Sequence, residues 1–520
     1  MNETQTKTKK SLLDRFQNAI EKGANKLPPP FILFFYLFLI TAVVSLLVTI
    51  FGVEAINPSN GETVTANNFF SADGIIWLVT NMVKNFTGYA SLGLVMTMTV
   101  GLGMMEQTGM VAALLKKLMG SIPSWAITYG CAVIAICGNI FSDSCTFIIP
   151  PLVALVFLSF KKHPIAGLCV GLLGTSAGFT ANLFPAGTDA LLAGITNTVL
   201  DSMLGPGVYN VEVVCNWFFM IVSTFFLALI ITLFEKYIMS PRLGPYVPGQ
   251  GEGGEVIDLS MDITPIERKG LRAAGLSALA YIAIIVVGIW SGILRNAETG
   301  SLLNSPFLAG IVPILFGLFF ITGYYYAKTT GNIKTKKDIA DRVVAQVRTM
   351  AIFIAFVFSA GQFVALFNWT KLGTLLSIGG AHFLEATGFT GMPLLVLFIL
   401  VCACINLLVG SSSAKWTILA PIFVPMLMRI GYDPAFIQLT YRLGDSCTNA
   451  CSPMSAALFM CLGIAQMQYD KKTTLGTLLS NNIMGSLLML VGWIVFFLIY
   501  NALGIPIGPG VEIALPAGIM

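Results

Sequence analysis

The chain has 520 residues, of which 56% are hydrophobic and only 10% are charged, and its formal net charge is +4. Soluble domains carry about 25% charged residues, so this composition predicts an integral membrane protein, and the small net charge argues against a nucleic-acid partner. Several apolar runs exceed the ~20 residues of a membrane-spanning helix, which favours an all-α protein over a β-barrel with short alternating strands.

The N-terminal segment, residues 1–29, is polar and Lys-rich and lacks the apolar core of a cleavable signal peptide. Four apolar residues in it recur at helical spacing, which predicts a short amphipathic helix on the cytoplasmic membrane surface. These residues are Leu12, Leu13, Phe16 and Ile20. A disordered tail is the alternative for this segment.

The apolar pattern predicts nine membrane spans. They are expected near residues 30–52, 88–112, 164–204, 213–235, 273–294, 306–327, 347–370, 434–466 and 474–500. Two re-entrant helical hairpins are expected near 123–160 and 391–430. The spans at 164–204 and 434–466 are too long for one simple crossing and contain Gly, Pro and Asp, as discontinuous helices do.

A hydrophilic segment at 236–272 contains the sequence PGQGEGGE and predicts a flexible cytoplasmic linker. It would join a first membrane half, 30–235, to a second half, 273–520. With the N-terminus in the cytoplasm, 23 of the 29 Lys and Arg residues fall on the cytoplasmic side. The positive-inside rule therefore predicts a multi-pass protein of the cytoplasmic (inner) membrane with this orientation.

Two short motifs recur in the same order in both halves. SDSCTFIIP at 142–150 aligns with SAKWTILAP at 413–421, and TANLFP at 180–185 aligns with TNACSP at 448–453. The first hairpin would enter from the cytoplasm and the second from outside. The matches therefore predict an inverted repeat, the layout of many secondary transporters.

Polar residues cluster where the two hairpins are expected to turn and in the broken third span. Unpaired carbonyls and hydroxyls at such positions bind small hard cations, and helix N-termini bind carboxylates. The candidates are Gly138, Asn139, Ser142, Asp143 and Ser144 in the first hairpin, Asn182 and Asp189 in the third span, and Asn406, Gly410, Ser411, Ser412 and Ser413 in the second hairpin. The alternatives are small-residue helix packing for Gly and Ser and a helix cap for Asp143.

Ionisable residues at membrane depth mark functional sites or structural ion pairs. Asp189 has no basic neighbour in sequence and is a candidate to bind sodium, carry a proton or hold a positive group. Asp445 follows Arg442 by one helical turn, so a salt bridge between them is its alternative role. Arg442 suits a carboxylate substrate through its planar fork, and Lys415 suits one as a point charge. Trp416 offers a flat face to an aromatic ring, or is an ordinary interface anchor.

The sequence offers little for catalysis. Ser411 to Ser413 with Lys415 would form the Ser–Lys pair of an intramembrane hydrolase, the remote enzymatic alternative. HExxH and nucleotide-binding loop motifs are absent, and the ten cysteines form no CxxC pair. We therefore expect no organic cofactor and no transition metal, with Na+ or H+ as the coupling ion of a transporter.

These segments resemble a known family. The resemblance lies in NLLVGSSSAKWTILAPIFVPML at 406–427, TYRLGDSCTNACSP at 440–453, GFTANLFPAGTDALLAGIT at 178–196 and GANKLPPPFILF near the start. All are similar to the AbgT family of p-aminobenzoyl-glutamate transporters, and the likeness covers nearly the whole chain. It implies a nine-helix protomer with two hairpins, assembled as a homodimer.

The resemblance also implies cation-coupled transport of p-aminobenzoyl-glutamate, an aromatic dicarboxylate from folate breakdown. Some similar members export sulfonamide-type antimetabolites, and another small carboxylate or a peptide is the remaining alternative cargo. Carried over residue by residue, the implied binding positions are Asp189, Asn406, Trp416, Pro434, Arg442 and Asp445, with Ser412 and Ser413 beside them at the hairpin tip. A rocking or elevator-like motion of the hairpin domain is the expected mechanism.

Overall fold

The computed structural model describes residues 28–519, apart from 57–62, 142–144, 248–261, 303–304, 388–390, 409–410 and 453–454. The expected N-terminal amphipathic helix lies outside the described residues. So do four candidate site residues, namely Ser142, Asp143 and Ser144 of the first hairpin and Gly410 of the second.

The first part of the chain is mostly helical. Its helices are α1 Pro30–Ile50, α2 Ala72–Thr87, α3 Ala90–Glu106, α4 Met110–Gly120, α5 Ile127–Cys137, α6 Cys145–Ser159, α7 Pro164–Ala177, α8 Gly187–Leu204, α9 Trp217–Phe234 and α10 Ser240–Leu243. A π-helical turn, Glu235–Met239, joins α9 to α10. Strands β1 Glu54–Ile56 and β2 Thr63–Thr65 pair antiparallel and form a small two-stranded sheet in an otherwise mostly helical structure.

The second part continues the helical pattern. Its helices are α11 Pro265–Trp290, α12 Pro306–Ala309, α13 Ile311–Thr330, α14 Lys336–Thr349, α15 Ala351–Trp369, α16 Leu372–Thr387, α17 Met392–Leu408, α18 Ser412–Arg429, α19 Pro434–Cys447, α20 Ala456–Ile464 and α21 Leu475–Ala502. A 3-10 turn, Asn449–Cys451, follows α19, and a π-helical turn, Ala465–Tyr469, extends α20.

Within the described ranges, six helices are long and apolar enough to cross a membrane, or up to eight if two bent pairs each form one span. The six are Phe31–Ile50, Ala72–Glu106, Trp217–Leu243, Pro265–Trp290, Ile311–Thr330 and Leu475–Ala502. Helices α7, α19 and α20 are each too short for one crossing, as expected for discontinuous spans. The total of nine spans stays a prediction.

The structure differs from the expected elements at three places, namely two helices that were not predicted and the segment between the two halves. Helix α2 precedes the break at Gly88, so the span expected at 88–112 omitted it. Helix α16 was also missed, because both helices carry polar residues that interrupt the apolar run. Helix occupies both ends of the segment expected as a linker at 236–272, since helix continues to Leu243 and α11 begins at Pro265. Its role as a linker between two halves stays a prediction.

Each of the two expected hairpins corresponds to a pair of helices that packs closely on a broken helix. The first hairpin, α5–α6, lies against α7, and a Cβ added to Gly171 would lie 2.4 Å from the Pro150 Cα. The second hairpin, α17–α18, lies against α19, and a Cβ added to Gly444 would lie 2.3 Å from the Ile399 carbonyl oxygen. Only glycine permits such an approach of two backbones, and Gly444 thereby holds its neighbour Asp445 beside the second hairpin.

Other helices surround these units. α1 packs on α15, and α3 packs on both α8 and α13, which in turn contacts α11. Only 6% of the residues in the apolar stretch of α11 are buried within the protein. Its exposed side chains include Leu276, Leu279 and Ile284. Apolar surface of this extent belongs in contact with lipid in a membrane protein.

Candidate functional site

The two helix breaks cross each other in the protein interior. One break separates α7 from α8, and the other separates α19 from α20. The Ser176 hydroxyl donates to the Ser446 carbonyl at 2.6 Å and accepts from the Ala450 N–H at 3.1 Å. The Thr180 hydroxyl donates to the Arg442 carbonyl at 2.9 Å. Side chains of the first half therefore satisfy backbone groups freed by the break in the second half.

Arg442 projects from α19 into the α7–α8 break. Its side chain is 1% exposed, and its Nη2 forms an ion pair with the Asp189 Oδ1 at 2.5 Å. The same nitrogen donates to the Phe179 carbonyl at 2.7 Å. The other oxygen of Asp189 accepts from the Ala186 N–H at 2.6 Å, at the start of α8. Asp189 thus fixes the N-terminus of α8 and neutralises Arg442.

A second buried ion pair joins Lys415 of α18 to Asp445 of α19. The Lys415 ammonium also contacts the side-chain oxygen of Asn406 in α17. The Ser412 hydroxyl donates to the Asp445 Oδ2 at 2.6 Å, and the Tyr441 hydroxyl lies 3.2 Å from its Oδ1. The Asp445 carboxylate therefore binds groups of α18 and α19, and the Lys415 ammonium connects it to Asn406 of α17.

The structure decides against the alternative role of Asp445, a salt bridge with Arg442. Asp445 does not pair with Arg442, although the two are one turn apart on α19. Arg442 instead reaches Asp189 from the first half, and Asp445 reaches Lys415. The sequence showed only near neighbours, whereas both actual partners come from other elements brought together by the fold.

Asn406 and the three serines have structural partners as well as candidate ligand roles. The Asn406 amide nitrogen lies 2.5 Å from the Asp445 carbonyl oxygen and 2.8 Å from the Thr448 hydroxyl. Ser411 caps α18 by accepting from the Ala414 N–H at 3.3 Å. The hydroxyls of Ser411 and Ser413 lie 3.2 Å apart. The triple serine is thus the first turn of α18, next to the Lys415–Asp445 pair.

Trp416 is fully buried and stacks on Tyr441, with ring centroids 4.5 Å apart and an interplanar angle of 25°. Its indole N–H donates to the Thr196 hydroxyl of α8 at 2.9 Å. The flat face that we expected for a ligand ring is therefore covered by Tyr441 in this structure. Sequence reasoning missed Tyr441 and Thr196, and the only signal was their polar atoms inside apolar helices.

Pro434 is the first residue of α19 and is buried. It precedes Arg442 by roughly 12 Å along the helix, so it lies apart from both ion pairs. The neighbouring Asp433 caps α19 by accepting from the Ala435 N–H at 2.7 Å, and Tyr209 donates to it. The structure does not bring Pro434 to the rest of the candidate site.

Several buried donors around the α7–α8 break have no hydrogen-bond partner among the described atoms. They are the Nε of Arg442, the amide nitrogens of Asn139 and Asn182, and the Thr188 hydroxyl. A Cβ on Gly178 would lie 3.0 Å from the Asn139 Cβ, so Asn139 borders this break. Unsatisfied buried donors are costly, and an acceptor-rich ligand would satisfy them.

Comparison with known proteins gives the context of this site. A sequence profile described as the "AbgT putative transporter family" matches residues 15–515. The p-aminobenzoyl-glutamate transport protein of Escherichia coli (strain K12) is 37% identical over 494 residues, covering 95% of this chain and 96% of that protein.

Solved structures agree with the sequence match. One solved structure is MtrF of Neisseria gonorrhoeae, which is described as representing a class of antimetabolite efflux pumps. It is 37% identical to this chain with a TM-score of 0.88, and the match covers 96% of this chain and 100% of that one. The YdaH transporter of Alcanivorax borkumensis, with an unusual topology, is 33% identical with a TM-score of 0.87, covering 93% and 100%. These proteins are transporters and not enzymes, which removes the hydrolase alternative. The chain therefore belongs to the AbgT family of multi-pass membrane transporters.

Proposed function

We propose that this protein is a secondary transporter of p-aminobenzoyl-glutamate or a similar aromatic carboxylate. The relative in Escherichia coli is named for that solute. The observation that carries the proposal is Arg442, a buried guanidinium at the crossing of two broken helices whose Nε has no acceptor among the described atoms. A guanidinium in this state is suited to bind a carboxylate through two nitrogens.

The surroundings of Arg442 favour an anionic group. The unpartnered amide nitrogens of Asn139 and Asn182 are further donors, and the positive end of α8 begins at Gly187. Asp189 neutralises Arg442 in the structure. We infer that a substrate carboxylate joins or displaces Asp189 at the guanidinium.

The aromatic ring of the substrate would bind beside Trp416. Tyr441 now stacks there, so a ligand ring would require Tyr441 to move aside. Tyr441 is held by its hydroxyl, which donates to the Ser412 carbonyl at 2.7 Å. Ring binding would thus be linked to the first turn of the second hairpin.

Cation coupling is part of the proposal. A dianion entering a negative-inside cell is opposed by about 2.3 kcal/mol per charge per 100 mV, and co-transported Na+ or H+ offsets that cost. The proposed cation ligands are oxygen-bearing groups of the hairpin tips and helix breaks. They are Asp189, Asn406, Gly410, Ser411, Ser412 and Asp445, together with Asn139, Ser142, Asp143, Ser144 and Asn182.

The proposed architecture has nine spans and two hairpins as an inverted repeat, in an inner-membrane homodimer with a cytoplasmic N-terminus. Two helix–turn–helix units, α5–α6 and α17–α18, each packed on a broken helix, support the repeat. The distribution of Lys and Arg supports the orientation. An elevator-like or rocking movement of these units would expose the site alternately.

Export of sulfonamide-type antimetabolites is the second candidate. The similarity to MtrF, an antimetabolite efflux structure, is as high as that to the Escherichia coli protein, at 37% identity. Both solute types carry an aromatic amine, which the same Trp416 region would hold.

Transport into proteoliposomes tests the proposal. Labelled p-aminobenzoyl-glutamate is offered under a Na+ gradient, a H+ gradient or neither, and efflux of a preloaded sulfonamide is followed in parallel. We expect accumulation above equilibrium with one gradient and loss of this activity in Arg442→Gln, but not in the exposed control Arg268→Gln. Gradient-driven sulfonamide loss without uptake would favour the second candidate, and no gradient-driven flux of either solute would contradict both.

A further inference from the structure

The second hairpin contains a positive charge at the place where a transported cation would bind. Lys415 lies in the first turn of α18, and its side chain is 1% exposed. Its ammonium contacts the Asn406 side-chain oxygen on one side and the Asp445 carboxylate on the other. The ammonium thus bridges α17 and α19 from a third helix.

The groups around this ammonium are oxygen ligands of the kind that hard cations prefer. Asn406 presents its oxygen because its amide nitrogen is turned toward the Thr448 hydroxyl and the Asn449 oxygen, each at 2.8 Å. The Ser412 hydroxyl binds the other Asp445 oxygen at 2.6 Å. A carboxylate and an amide oxygen therefore contact one tethered positive charge, and a hydroxyl holds the other oxygen of that carboxylate.

One carboxylate neutralises one cation in this cluster. A sodium ion bound to Asp445 and Asn406 with Lys415 still in place would leave a net positive charge in a dry interior, which is strongly unfavourable. The ammonium and a free cation therefore exclude each other at these two residues.

We propose that Lys415 is a built-in cation that competes with transported Na+ for Asn406 and Asp445. Sodium binds there when a substrate carboxylate takes over the ammonium, so that two cations face two carboxylates, and release of sodium and substrate lets the ammonium return and neutralise Asp445. The empty carrier then reorients with no unpaired charge at the second hairpin. This inference rests on the proposed cation-coupled transport and assigns Lys415 as a residue that sets cation affinity.

The test is equilibrium binding of radioactive Na+ to the purified full-length protein in detergent, at fixed pH and with choline replacing Na+. Lys415→Met removes the charge and keeps much of the stem, and we expect it to bind Na+ at least tenfold more tightly than wild type. Lys415→Arg keeps the charge, adds a second contact to the carboxylate, and should weaken Na+ binding tenfold or more.

The matched control is Lys162→Met, which removes the lysine from a different ion pair, with Glu235 at 2.7 Å. It should leave Na+ affinity unchanged. Equal or weaker Na+ binding by Lys415→Met would overturn the proposal, and if that variant fails to fold, unchanged Na+ affinity in Lys415→Arg would do so.

The outcome is separable from that of the transport assay. Tighter Na+ binding by Lys415→Met together with uptake driven only by a H+ gradient would overturn the inference, because Na+ would then not be the transported ion, while the proposed transport would stand. No binding by either protein would overturn this inference, yet uptake driven by a H+ gradient would still uphold the proposed transport.

Discussion

Arg442 and Lys415 each place a full positive charge in the protein interior, and each is neutralised by a carboxylate from another helix. Breaking such a pair by removing one partner typically costs about 3–5 kcal/mol, because the remaining charge is buried alone. The sequence identified all four residues as important, since ionisable groups are rare in apolar helices. It could not identify the pairing, because Asp189 and Arg442 meet only through the crossing of two helix breaks.

This pairing predicts a specific pattern of compensation. Asp189→Asn leaves Arg442 unpaired and should lower the free energy of unfolding by about 3–5 kcal/mol. Adding Arg442→Gln should recover much of that loss, since no charge is then left alone. The mismatched double variant Asp189→Asn with Lys415→Gln should lose the sum of both effects.

Thermal unfolding of the purified variants in one detergent measures this pattern. Recovery in the mismatched double variant, or none in the matched one, would show that the pairs are assigned wrongly. A matched series with Asp445→Asn and Lys415→Gln tests the second pair in the same way.

At the scale of elements, the sequence predicted where helices break and where the paired helices of the expected hairpins lie, but it did not predict where the helices begin and end. Gly, Pro and Asp inside long apolar runs indicated the breaks after α7 and α19. The start of α11 was missed although Thr264, Pro265 and Glu267 form a capping box with proline at the first turn. Helices α2 and α16 were missed because we predicted helices from the length of uninterrupted apolar runs. Polar residues interrupt the apolar run in both of these helices.

Because α17 and α19 pack closely at Gly444, adding a single methyl group there should destabilise the protein. Gly444→Ala would place a Cβ 2.3 Å from the Ile399 carbonyl oxygen and force the helices apart. We expect a loss of about 1–3 kcal/mol in unfolding free energy, because the helices no longer pack closely and Asp445 moves away from Lys415.

Gly463→Ala in α20 is the control for this change, since no described atom outside its own helix backbone and chain neighbours lies within 4 Å of the added Cβ. It should be neutral or stabilising by up to ~1 kcal/mol, as alanine favours helix. Equal melting temperatures of the two variants would disprove the close packing of α17 on α19.

At the scale of the whole molecule, composition alone predicted a helical membrane protein. Two motifs that occur in the same order in both halves of the chain predicted the inverted repeat, which stays a prediction. The family match and the two solved relatives extend this to the transporter class. The substrate site could be predicted only in part, because Tyr441 covers Trp416 and because Pro434 lies at the far end of α19.

The proposed orientation predicts which surfaces face each side of the membrane. Glu298 lies between α11 and α12 and Asp341 lies in α14, and both are exposed. In intact cells, a thiol reagent that does not cross the cytoplasmic membrane is added outside that membrane. It should label Glu298→Cys directly, and it should label Asp341→Cys only after the membrane is permeabilised. The unsubstituted protein gives the background of its own cysteines, and the reverse labelling pattern would refute a cytoplasmic N-terminus.

The central claim is that Arg442, at the crossing of the two helix breaks, binds a substrate carboxylate. Equilibrium binding of labelled p-aminobenzoyl-glutamate and of its uncharged diester to wild type, Arg442→Gln and the control Arg268→Gln tests it most directly. Loss of a charged hydrogen bond of about 1.5–3 kcal/mol predicts a roughly 10- to 150-fold weaker affinity of Arg442→Gln for the dicarboxylate, with little change for the diester. Wild-type affinity of Arg442→Gln for the dicarboxylate would contradict the account.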